Sequence, residues 1–83
     1  LRGPWQVVFS PDGRTLASNG QETESLILWD VATGRPRHTI ARPVSGVAFS
    51  RDGALIAGSL ATEAGMDVRF WDVATGQERS TLR

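Results

Sequence analysis

His38 is the one histidine in 83 residues, and cysteine is absent. A nucleophilic triad needs an imidazole poised between a hydroxyl or thiol and a carboxylate. No such arrangement can be assembled around His38, which lies in the polar stretch Pro36-Arg37-His38-Thr39-Ile40. One imidazole without thiolates is also too few ligands for a metal site. No glycine-rich loop follows a strand and opens a helix, so the sequence offers no phosphate cradle. These residues predict a protein that is not an enzyme and carries no metal or cofactor. His38 itself is expected to be solvated.

The carboxylates are explained by turns. Asp12 precedes Gly13 in Ser10-Pro11-Asp12-Gly13-Arg14, and Asp52 precedes Gly53 in Ser50-Arg51-Asp52-Gly53-Ala54. Asp-Gly between two apolar runs is a hairpin signal, because glycine takes positive φ without a Cβ clash. Asp30 and Asp72 stand second in two copies of Trp-Asp-Val-Ala-Thr-Gly, at Trp29 to Gly34 and Trp71 to Gly76. Glu22, Glu24 and Glu63 fall where the copies differ in length, and read as solvated loop charges.

The elements that position these residues form an internal repeat. Residues 1–19 match 41–59 at an offset of 40, and residues 26–41 match 68–83 at an offset of 42. A fixed period in this range points to a repeat architecture. Each copy predicts four short strands, at about 5–10, 15–19, 25–30 and 36–40, then 44–50, 55–59, 67–72 and 78–82. The second strand is rich in small residues that let neighbouring layers approach. Leu26 to Trp29 is a continuous apolar run, expected of a strand covered on both faces. Arg69 breaks that run in the second copy and predicts a wetter edge or a paired arginine. The fourth strand is polar and carries Pro36, as an edge strand does. The slip between copies places variable loops at Gly20 to Glu24 and Leu60 to Met66. The expected class is all-β: two four-stranded antiparallel meanders, residues 1–40 and 41–83, each a propeller blade.

Phe9-Ser10-Pro11-Asp12-Gly13 followed by Leu28-Trp29-Asp30 resembles a WD40 (WD-repeat) blade, and Phe49-Ser50-Arg51-Asp52-Gly53 followed by Phe70-Trp71-Asp72 resembles a second. The resemblance covers essentially the whole chain. It marks Asp12, Gly13, Trp29, Asp30, Gly34, Asp52, Gly53, Trp71, Asp72 and Gly76 as structural motif residues. The family's Gly-His dipeptide, whose histidine joins a buried network with a hydroxyl, an aspartate and the tryptophan, is missing from both copies. Ser18 stands at the hydroxyl position, but Gly58 replaces it in the second copy. The nearest acids to the aspartate position are Glu24 and Asp67. Trp29 and Trp71 should still pack between blades, each indole N–H needing another acceptor if buried. The chain also reads as two whole blades without the strand exchange that usually latches the ring.

The resemblance implies a scaffold that binds proteins or peptides by its loop face. The candidates there are Trp5, Glu22, Glu24, Arg42 and Glu63. Tryptophan and arginine are enriched at binding hot spots. Trp5 has no aromatic counterpart at Ser45, and filling the gap between blades is an equally good account of it. Two blades cannot close a ring, and bare blade faces are large apolar patches. Either the piece is excised from a longer propeller, or identical chains pack head to tail. Four chains giving eight blades are favoured over three giving six. Two alternatives stand beside this reading: a fragment or engineered piece whose only activity is self-assembly, and a propeller that binds a glycan or other small ligand. Nine acidic and nine basic residues balance, so nothing electrostatic calls for nucleic acid or an anionic membrane. No apolar run nears the ~20 residues that span a bilayer. No leader is recognisable, which suggests the cytoplasm.

Overall fold

The computed structural model describes residues 6–20, 25–42, 44–63 and 65–82. The first sheet is β1 (Gln6–Phe9), β2 (Thr15–Gly20), β3 (Ser25–Asp30) and β4 (Arg35–Ile40). The second is β5 (Val44–Phe49), β6 (Leu55–Thr62), β7 (Gly65–Asp72) and β8 (Glu78–Leu82). Each is an antiparallel meander in sequential order, as propeller blades are.

Register decides which residues share a face. In the first sheet Phe9 pairs with Leu16 and Leu16 with Trp29, while Val7 pairs with Ser18 and Ser18 with Ile27. These side chains therefore share one face, here called the tryptophan face. Ala17 pairs with Leu28 and Asn19 with Leu26, on the opposite or leucine face. In the second sheet the tryptophan face holds Ile56, Gly58, Arg69 and Trp71. Its other face holds Ala57, Phe70, Ser59 and Val68.

The core lies between the leucine face of the first sheet and the tryptophan face of the second. It comprises Ala17, Leu26, Leu28 and Ile40 against Val44, Val47, Ile56, Leu60, Trp71 and Val73. Leu26, Leu28 and Ile56 are fully buried, each stabilising by roughly 1.5–3 kcal/mol. Gly58 is where the sheet accommodates the indole. A Cβ there would collide with Val44 Cγ1 and come within 3.2 Å of Trp71.

Three expectations are corrected. Leu26 and Leu28 are buried, but Ile27 and Trp29, which alternate with them, are only half-buried, so Trp71 packs between the blades and Trp29 does not. The run is covered on one face because, among the described residues, no second sheet packs on the tryptophan face of the first. The loop expected over Leu60 to Met66 is mostly ladder: Ala61 pairs with Met66 and Thr62 with Gly65. Gly65 makes the tight turn possible at φ 135°, a region side chains disfavour.

Each fourth strand slips register beside its tryptophan, between Leu28 and Trp29 and between Phe70 and Trp71. Pro36, opposite Trp29, lies on the outer edge strand, where its missing N–H costs no ladder bond.

Candidate functional site

The repeated aspartates hold turns. Asp12 Oδ1 accepts from Ser10 Oγ at 2.6 Å and from the Arg14 N–H at 2.9 Å. Asp52 Oδ1 accepts from Ser50 Oγ at 2.7 Å and from the Ala54 N–H at 3.0 Å. The serine hydroxyls in turn accept from Thr15 and Leu55. The Ser10 hydroxyl, helped by the Arg14 N–H, holds the Asp12 carboxyl below its ordinary pKa. The Ala54 N–H, helped by Ser50, does so for Asp52. Asp30 and Asp72 accept from the N–H groups of Ala32 and Ala74 at 3.0 and 2.9 Å. Gly13, Gly34, Gly53 and Gly76 all take φ between 73° and 76°.

The tryptophans differ. Trp29 Nε1 donates to Ser18 Oγ at 2.8 Å, so the first blade rebuilds part of the missing network. Trp71 is buried opposite Ile56 and beside Gly58, and among the described residues no acceptor meets its indole N–H.

A polar seam ties the blades together. Asn19, itself buried, donates from Nδ2 to the carbonyls of Val44 at 2.6 Å and Ser45 at 3.0 Å. Gln6 Oε1 accepts from the Val47 N–H at 3.1 Å. His38 is half-buried rather than solvated: its Nε2–H donates to Ala74 O at 2.9 Å. The next blade's turn reaches back to cover the outer strand. Arg69 is the paired arginine, meeting Asp67 at 3.3 Å and Glu78 at 3.4 Å, with its Nε left buried and unpartnered among the described residues.

Asn19 and Gln6 escape notice in the sequence because each is an ordinary strand residue, and His38 reads there only as a solvated side chain. The signal lay in the mismatch between copies, where Ser59, Gly46 and Ser80 stand at the same places.

The blades also differ in what they expose. Val7 and Phe9 are 57% and 60% exposed on the first tryptophan face, whereas their counterpart Val47 is 8% exposed and Phe49 packs on the core. Val31 is 43% exposed, against 7% for Val73. Beside Val31 an open groove of about 560 Å³ is lined by Gly13, Arg14, Asp30, Ala32 and Arg37. In the second blade the same place is filled: Pro11 lies against Gly53, and His38 against Gly76 and Ala74. At the other end Val68 and Met66 are exposed, although Leu26, the counterpart of Val68, is fully buried. Each open face thus matches a face that the chain buries within itself.

Of the loop-face candidates, Glu63 is exposed at the β6–β7 turn. Arg42, in the linker between blades, lies 3.9 Å from Glu78 at the edge of the ionic cluster. Trp5, Glu22 and Glu24 lie outside the described residues. Among the described residues, no three histidine, cysteine or carboxylate groups gather as a metal site would require.

No family model matches the sequence. A curated relative, the Periodic tryptophan protein 2 homolog of Schizosaccharomyces pombe, is 29% identical over 70 residues, which is 81% of this chain and 8% of that protein. Among solved structures, the WD40 repeats of RRP9 superpose with a TM-score of 0.77 at 25% identity, over 92% of this chain and 24% of that one. U3-55K gives 0.76 at 26% identity, over 92% and 25%. The β-propeller domain of Myceliophteria thermophila Cps50 (Swd1) gives 0.75 at 21% identity, over 93% and 23%, a likeness of fold alone. The chain therefore spans about a quarter of the solved propeller chains it matches and a small part of the curated relative. With two four-stranded antiparallel sheets stacked tryptophan face to leucine face, the chain folds as two adjacent blades like those of the WD40-repeat β-propellers it resembles.

Proposed function

We propose that this blade pair is a non-enzymatic scaffold for protein–protein interaction that completes its ring by head-to-tail packing with further copies of itself. One observation carries the assembly. The residues exposed on the first tryptophan face, Val7 and Phe9, have counterparts that pack inside the molecule. The far face of the second blade offers what the first blade's leucine face offers inside. Ala57 repeats Ala17, and Val68 with Phe70 replaces Leu26 with Leu28 at roughly conserved volume. A heterologous contact of this kind repeats from copy to copy and closes into a ring when its rotation fits. Chains of two blades close at even blade numbers, with four chains favoured over three. The scaffold role is supported by the likeness to WD40 propellers, and the loop face with Arg42 and Glu63 is the surface we assign to partners.

Solution mass tests the assembly. Light scattering at several protein concentrations should show a closed species of three or four chains. A folded species of 9.0 kDa at every concentration would overturn it.

A further inference from the structure

We infer that the seam between copies is held more weakly than the seam inside the chain, and that Gly46, Arg51 and Ser59 set this difference. The inference rests on the head-to-tail reading and names the residues that control it. Its occupant is a second copy, argued from continuity with the interface already inside the molecule.

Besides the His38 bond to Ala74, whose counterpart position holds Ser80, the internal seam has three parts that the second blade cannot repeat. Gln6 takes the Val47 N–H across the seam, and its counterpart is Gly46, which has no side chain. Asn19 reaches two carbonyls of the next blade, and its counterpart is Ser59. The shorter Ser59 hydroxyl is used within its own blade, accepting from the Gly46 N–H at 3.1 Å. Pro11 sets its ring against Gly53 with Cδ 3.6 Å from where a Cβ would stand, and its counterpart is Arg51. On a second copy Arg51 arrives at the groove beside Gly13, which already carries Arg14 and Arg37 with Asp30 as the one carboxylate in its lining. An apolar contact inside the chain becomes a crowded cationic one between chains.

The apolar centres of the two open faces still match. The copy seam therefore forms through them, without the polar clamp that fixes the internal one. Assembly is then an equilibrium governed by concentration, opening between chains and not within them.

The test gives the second blade the first blade's residues. Pro fits at position 51 because Pro11 occupies the same turn, with the same bond from the glycine N–H to the serine carbonyl at 2.9 Å in both copies. Gln fits at position 46, where a Cβ meets only Ser59 Oγ at 3.6 Å. Sedimentation equilibrium on the full chain compares the wild type with G46Q/R51P/S59N. The triple variant should associate at least about tenfold more tightly, as expected for several restored hydrogen bonds. The converse variant, Q6G/N19S, should lower the urea midpoint of the chain while leaving its association constant within about twofold. Association of the triple variant that is equal to or weaker than wild type overturns the inference and leaves the ring reading standing. If neither protein associates at any concentration, both fail.

Discussion

The imidazole of His38 lies directly over Gly76. A Cβ on Gly76 would stand 2.8 Å from His38 Cγ, whereas the same atom on Gly34 would meet nothing within 4 Å. The two glycines share their hexapeptide and their positive φ, so they differ only in whether a neighbouring blade covers the turn.

That pairing gives a matched measurement. Gly34→Ala should cost about 1–2 kcal/mol, the ordinary penalty of a side chain in the left-handed region. Gly76→Ala should cost about 1–3 kcal/mol more, because it also overpacks against His38. In the H38A background that excess should disappear. Urea unfolding of the single and double variants measures it, and equal costs at the two glycines would show that His38 does not rest on the turn.

The Trp71 indole N–H, which meets no acceptor among the described residues, gives another. Gly58→Ser would supply the hydroxyl that Ser18 gives Trp29, but its Cβ collides with Val44. The substitution alone should destabilise by about 1–3 kcal/mol. Adding Val44→Ala should recover part of the loss despite the methyl groups removed. Thermal melts monitored by tryptophan fluorescence report both stability and the indole's surroundings.

Arg69 occupies the place of Ile27, and Asp67 that of Ser25. Arg69→Ile removes the cation from Asp67, whose side chain is only 12% exposed. It should cost about 2–4 kcal/mol, since breaking a mostly buried pair strands its partner. The double variant R69I/D67S gives the second blade the first blade's residues and should regain most of that stability. Chemical denaturation of the four-member cycle yields the coupling.

Asp12 and Asp52 have folded pKa values below the ordinary 3.8, because their carboxylates accept turn hydrogen bonds. A depressed folded pKa means the stabilisation is complete above the unfolded value and is lost as pH falls through the folded one. The melting temperature should therefore drop as pH falls below about 3.8. D12N/D52N should melt lower at neutral pH and decline less steeply in acid. Parallel slopes would remove these turns from the acid response.

The sequence by itself determined the blade. Period, Asp-Gly turns and strand alternation act over a few residues, so eight strands and their order follow from local rules. Ser18 stands at a hydroxyl position only by resemblance, and the sequence asks for another acceptor for Trp29; the structure gives that role to Ser18 itself, two residues along β2 from the Leu16 that pairs with Trp29. The extension of β6 and β7 through Thr62 and Gly65 was hidden by the length difference between copies, which looked like loop.

Only the tertiary structure decided the seam. Asn19, Gln6 and His38 act on backbone 25 or more residues away, and no local pattern marks a side chain for a carbonyl on another sheet. It decided too that equivalent residues have unlike surroundings: Val7 is open and Val47 is closed, although the repeat gives them one role. Burial belongs to the stack of blades and not to the strand. A face encoded twice is covered only where a second sheet lies against it.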